Sequence, residues 1–228
     1  MADTYNRTHK GKYRMTRLTI LLLTATFASA GTISAPALAA GPTNHIGAPV
    51  FTADGRLMPP KGYYHWVFLT SDLGMSYNED GSNSDHPPFS NVFAAPAAYS
   101  AFLKTGTWPD HTVLVKEFRG SATKGSINNH GYFQKGPVMS VLVHVKDLKR
   151  FKGGWGFYAF SGGPSAKAAK MIPMAASCYS CHKAHGAVDT TFVQFYPSLL
   201  PIAKTHSTIN PAYLKAEAKD EESAGQSK

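Results

Sequence analysis

The sequence has 228 residues, 43% hydrophobic, 12% aromatic and only 16% charged, with a formal net charge of +9. That is enough chain for one domain with a substantial core. Without residues 1–40, 18 basic and 13 acidic side chains remain, and this mild surplus, with no Lys/Arg run and no aromatic-basic stripe, excludes a nucleic-acid binder.

The chain opens as a secretory signal, expected over residues 1–40. Arg7, Lys10, Lys12, Arg14 and Arg17 precede an apolar stretch from Leu18 to Phe27, and Ala37-Leu38-Ala39-Ala40 closes it. Cleavage is expected after Ala39 or Ala40. An uncleaved anchor is the competing reading, and Pro36 with the small residues around it favours the signal. No later segment is long and apolar enough to span a bilayer. The expectation is an exported mature chain of about 188 residues, soluble in the periplasm and free of the membrane.

A polar lead-in is expected over 41–57, followed by one domain over 58–205 and a flexible, charged, Ala- and Ser-rich tail over 206–228. Tyr63-Tyr-His-Trp-Val-Phe-Leu-Thr is aromatic and branched, which predicts a strand. Residues 76–88 are polar and without period, a loop. Asn91–Ala95 reads as a short strand. Pro96–Gly106 reads as a helix, with Pro near its start and Gly at its end. Four strands are then predicted: Thr112–Arg119, Gly131–Gln134, Val138–Val145 and Gly154–Phe160. Their succession favours an antiparallel sheet over βαβ units. Ser177–Ala187 is predicted helical, as is Thr191–Ala203, interrupted by Pro197. The fold class expected is α+β: mainly antiparallel sheet, a few short helices and no internal repeat.

Only two cysteines occur, three apart, which excludes a disulfide-stapled scaffold in an exported protein. Cys178-Tyr179-Ser180-Cys181-His182 is the attachment sequence of a c-type haem. Two thiols at that spacing can add to two vinyl groups on one porphyrin edge, which brings the next imidazole beneath the ring to ligate iron. The expectation is therefore one covalent haem c, held by Cys178 and Cys181, with His182 on the metal. Two other readings compete with it. Zinc at Cys178, Cys181 and His185 lacks an evident fourth ligand. A thioredoxin-like Cys-x-x-Cys expects a preceding strand, and here Ile172-Pro173-Met174-Ala175-Ala176-Ser177 precedes it.

The remaining histidines, including His144, carry no motif and read as surface or satisfied residues, and the methionines read as core or loop. His185 is too close to His182 to reach the opposite face of a haem. The expected sixth position is open, as in catalytic or gas-binding haems. In Thr112–Arg119, alternation puts Leu114, Lys116 and Phe118 on one face and Val113, Val115 and Glu117 on the other. Lys116 is either a nucleophilic amine on a buried face or an edge-strand lysine reaching water.

Three stretches resemble the cytochrome P-460 family: Thr107-Trp-Pro-Asp-His-Thr-Val-Leu-Val-Lys-Glu, Gly153-Gly-Trp-Gly-Phe-Tyr-Ala-Phe, and Cys178 through Pro197. The resemblance spans about Pro59 to Pro201. It implies a periplasmic homodimer built on an antiparallel sheet, with an open distal haem site. In that family's enzymes a lysine is joined covalently to the porphyrin edge, and the position of Lys116 makes it the residue expected in that role. The activity implied is oxidation of hydroxylamine, with electrons passing to a soluble acceptor cytochrome. The related cytochrome c′-beta branch lacks the cross-link and binds nitric oxide in a phenylalanine-lined pocket. Phe93, Phe118, Trp155, Phe157 and Phe160 could line such a pocket here, with Phe118 and Phe157 expected against the cofactor. A plain electron carrier is the third alternative. One departure from the enzymes stands out: no carboxylate for a proton relay is visible, since no Asp or Glu lies between Asp147 and Asp189 and Glu117 points to the other strand face.

Overall fold

Among the described residues, five strands form one antiparallel meander, each pairing with the next in sequence: β1 (Val67–Leu73), β2 (Phe89–Ala94), β3 (Val113–Ala122), β4 (Phe133–Lys146) and β5 (Trp155–Ser161). The helices are α1 (Pro96–Thr105), α2 (Ser177–His185), α3 (Leu200–Thr205) and α4 (Pro211–Gly225). This computed structural model describes residues 47–76, 84–162 and 166–225, with side chains through residue 219. The expected signal and the first residues of the lead-in lie outside the described residues. Residues 42–228 make one unit, and no described helix is long and apolar enough to cross a membrane. The α+β class with a mainly antiparallel sheet and few short helices is as expected.

Alternation divides the sheet into two working faces. The register places Phe93, Val115, Val143 and Tyr158 in one cross-strand row, and Asn91, Glu117, Val141 and Phe160 in the next. All eight are buried, and this face forms the main core with Leu57, Tyr63 and Phe151 close by. Glu117, 3% exposed, is the charge within it. Its carboxylate accepts hydrogen bonds from Tyr63 Oη (2.7 Å), Asn91 Nδ2 (3.0 Å) and Arg119 Nε (2.8 Å). Burial pushes its pKa up, and the bonds from Arg119, Tyr63 and Asn91 outweigh that and hold it below the ordinary glutamate range.

The opposite face carries the rows Thr70–Val92–Lys116–Leu142, Asp72–Ser90–Phe118–Ser140, and Leu114–His144–Phe157. A register shift in β1 sets the first two. Phe68 pairs with Phe93 on the core face, yet Thr70 pairs with Val92 on the other, leaving Leu69 as the extra residue. One inserted residue reverses the facing of everything after it, so Thr70 and Asp72 turn away from the core.

Several elements differ from their expected bounds. Tyr63–His65 is a 3-10 turn that seats Tyr63 on Glu117, and the strand begins only at Val67. The two strands expected at Gly131–Gln134 and Val138–Val145 are one, β4. Gly136 (φ 87°) and Pro137 fall where its pairing with β3 shifts register, so the proline removes no ladder bond. α1 runs as expected to Gly106, whose left-handed φ of 69° closes it. The stretch expected as one interrupted helix is a 3-10 turn at Val193–Phe195 followed by α3. The lead-in is not wholly polar in its environment, since Leu57 is 2% exposed and bridges both Phe51 and Ala169. Residues 206–228, expected as a flexible tail, begin instead as packed structure. Ile209 and Tyr213 are buried four apart, the Asn210 N–H donates to the Ala187 carbonyl at 2.7 Å, and α4 follows.

Candidate functional site

The cleft-side face of the sheet, the end of α2 and the segment after it enclose a cavity of about 310 Å³. Its lining is mostly apolar. Leu142 and Phe195 on its wall are 40% and 45% exposed, large apolar surfaces left for something flat and apolar to cover.

α2 supplies the first chemical group. Cys178, Cys181 and His182 fall at i, i+3 and i+4, which puts all three on one side of the helix. Both thiols are free and half-buried. His182 lines the cleft, and its ring lies against Phe192 (centroids 4.2 Å apart) and Phe157 (4.6 Å). Its Nδ1 donates to the Thr190 carbonyl at 2.8 Å. A carbonyl only accepts, so that bond puts the proton on Nδ1 and leaves the Nε2 lone pair for a metal. Burial depresses the histidine's pKa, the Thr190 bond opposes this, and nearby Lys116 adds to the depression, so the neutral ligand form is favoured.

The helix is fastened from both sides. Tyr179 Oη donates to the Ile172 carbonyl (3.0 Å) and accepts from the Phe157 N–H (3.2 Å), which ties α2 to β5. At the other end Gly186 lets the chain double back. A Cβ there would stand 2.7 Å from the His182 oxygen and 2.9 Å from both Thr190 C and Thr191 N. Gly186→Ala is expected to push the Thr190 carbonyl off His182 and to cost about 1–3 kcal/mol by overpacking, read as a lowered urea midpoint.

β3 supplies the second group. Leu114, Lys116 and Phe118 all line the cleft, as alternation predicts, and Glu117 faces away. Lys116 Nζ is 3.3 Å from Asp72 Oδ2 and 5.3 Å from the Phe118 ring centroid. Ser90 Oγ also donates to Asp72 Oδ2. Asp72 is therefore a carboxylate inside the cleft, and the expectation that none stands there is corrected. The β1 bulge hid it, because plain alternation from Phe68 aims Asp72 at the core.

Of the five aromatic residues considered for the lining, Phe118 and Phe157 line the cleft, while Phe93 and Phe160 lie in the core on the other face. Trp155 packs on the edge of the site against His144, centroids 4.2 Å apart. Sequence reasoning passed over His144, Phe192 and Phe195. His144 is 8% exposed, stacks on Phe157 at 4.0 Å and meets His182 edge-on at 5.3 Å. Burial holds its pKa well below the usual histidine value, so it stays neutral. Its position opposite Phe157 in the Leu114 row was the available signal. Among the described residues, Cys178, Cys181 and His185 do not gather their ligand atoms as a zinc site requires, while Asp110, His111 and Asp147 lie close together as ion pairs.

A cavity with an imidazole whose outer nitrogen is tied back, paired thiols one turn away, and aromatic walls suits haem in donor set and polarity. No curated protein sequence matches the chain. The family model described as Cytochrome P460 matches residues 60–193, more than half its length, and that span carries every side chain named above from Tyr63 to Phe192. With a cleft whose donors and polarity suit the implied haem, and with this match, the chain belongs to the cytochrome P460 family and is a haem cytochrome.

Proposed function

We propose that the protein is a periplasmic cytochrome with a single haem c, thioether-linked through Cys178 and Cys181 and ligated by His182 Nε2, and that it oxidises hydroxylamine. The observation that supports this most is the meeting of His182, Lys116 and Asp72 on one apolar cleft. A bound haem, held by His182, Cys178 and Cys181, would supply a redox-active iron able to draw electrons from a nitrogen substrate. Every other part of the task falls to side chains. Leu142, Phe118 and Phe157 keep water from the substrate. Lys116 presents its amine to the cofactor edge, as the family's cross-linking lysine does; Lys104 and Lys124, the other lysines near it in sequence, do not line the cleft. Asp72, steadied by Ser90, is the base that takes the protons shed in oxidation. We read the working form as a homodimer that hands electrons to a soluble acceptor cytochrome.

A second reading, capture of nitric oxide without oxidase activity, draws support from the same Phe118, Leu142 and Phe157 lining. The ferrous spectrum separates the two. A Soret band far to the red, lost in Lys116→Ala, is the expected outcome for the enzyme. An ordinary high-spin c-type Soret would favour the gas binder, and a low-spin spectrum indifferent to carbon monoxide would overturn both. Asp72→Asn is expected to slow hydroxylamine oxidation by about 10²-fold while nitric oxide affinity holds.

A further inference from the structure

The imidazole of His182 takes its orientation from one carbonyl, that of Thr190, so whatever fixes that carbonyl fixes the ligand. Thr190 sits in a tight turn closed by the Val188–Thr191 bridge, where the Thr191 N–H donates to the Val188 carbonyl at 2.9 Å. Asp189 enters this turn with φ of 53°, a left-handed conformation that Asp visits more readily than most residues but that still has to be held. Two distant segments provide the hold. From the end of β4, Lys146 Nζ donates to Asp189 Oδ2 at 2.9 Å and to the Trp108 carbonyl at 2.7 Å, over the Trp155 ring at 5.6 Å. From the loop before β3, Trp108, 2% exposed, donates its Nε1–H to Thr191 Oγ1 at 2.9 Å, and that hydroxyl donates in turn to the Val188 carbonyl at 2.7 Å. The lysine side chain is 13% exposed and that of Asp189 32%, so the pair is partly shielded from water.

We propose that Lys146 and Asp189, with the Trp108–Thr191 hydrogen bond, form a brace that positions His182 and thereby sets how strongly it donates to iron. The proposal rests on His182 being the iron ligand. A short Nδ1–H···O bond gives the imidazole partial anionic character, which strengthens the iron bond and favours the ferric state. Loosening the turn lengthens that bond and reverses both effects.

The test uses holoprotein matured in a host competent for c-type haem attachment. Asp189→Asn keeps a residue that tolerates the left-handed turn and removes only the ion pair. Thr191→Val removes the acceptor for Trp108 at nearly constant volume and serves should the first variant fold poorly. Resonance Raman of the ferrous protein reads the iron–histidine stretch, and redox titration reads the midpoint potential. Both variants should move the stretch to lower frequency and the potential to more positive values, while Arg56→Gln, which breaks the exposed Arg56–Asp54 pair, should move neither. A wild-type iron–histidine band that stays in place in both variants would overturn the brace. A wild-type protein whose ferrous form is high-spin and five-coordinate yet shows no such band would overturn the ligand reading and the brace with it.

Discussion

Replacing Cys178 and Cys181 together with alanine, in a Lys116→Ala background that also removes the proposed cross-link, is expected to abolish covalent haem entirely. On a denaturing gel the variant should show no haem colour, and its intact mass should be that of the unmodified mature polypeptide. Wild type should carry the added mass of one haem, and each single variant should keep one thioether. The reason is geometric. The thiols stand at i and i+3 on α2, and no other cysteine exists to substitute. Non-covalent retention through His182 does not survive denaturation, since the ring that binds iron is held by one backbone carbonyl and by aromatic contacts that vanish on unfolding. Wild-type material at the bare polypeptide mass, from a host competent in attachment, would reject the haem c assignment.

Glu117→Leu is expected to produce the largest loss of stability of any single change on the sheet, about 3–5 kcal/mol, measured as a fall in the urea midpoint. The substitution leaves Tyr63 Oη, Asn91 Nδ2 and Arg119 Nε without the acceptor they share at the centre of the core face. Glu117→Gln keeps an acceptor but no charge and should lose less. The pH dependence follows from the depressed pKa. The unfolded glutamate binds its proton at higher pH than the folded one. Its contribution to stability is therefore whole above the ordinary glutamate range and disappears as the pH falls through the lowered native value. Wild type should lose stability in acid more steeply than Glu117→Leu, and parallel curves for the two would remove Glu117 from this role.

The gathering of Cys178, Cys181 and His182 on one side of α2 and the facing of Lys116 were legible because each depends on short-range regularities: a fixed five-residue spacing, and period-two alternation inside an unbroken stretch of β3. Phe118 and Phe157 were legible for the same reason. Asp72 was not, since the residue that turns it toward the cleft is the bulged Leu69, and a bulge leaves no mark in a Val-Phe-Leu-Thr run. His144 was missed because a lone histidine in a strand resembles any satisfied core residue until the partner row is known. The merged β4 escaped notice because Gly136-Pro137 is the usual signal of a break, and here the register shift accommodates it. The packed start of the C-terminal segment was masked by composition: two apolar residues, Ile209 and Tyr213, decide its fate amid many charged ones.

The helix that bears the two thiols has no buried side chain at all. It is stitched to the rest of the chain by Tyr179, His182 and the doubling-back at Gly186, and it contributes nothing to the core face where folding draws its driving force. The sheet can therefore assemble while the sulfurs still face the solvent, reachable by the machinery that ligates porphyrin. Under the proposed haem c attachment, maturation would be a late capping event on a scaffold already formed, and the prosthetic group would complete the molecule without having to nucleate it.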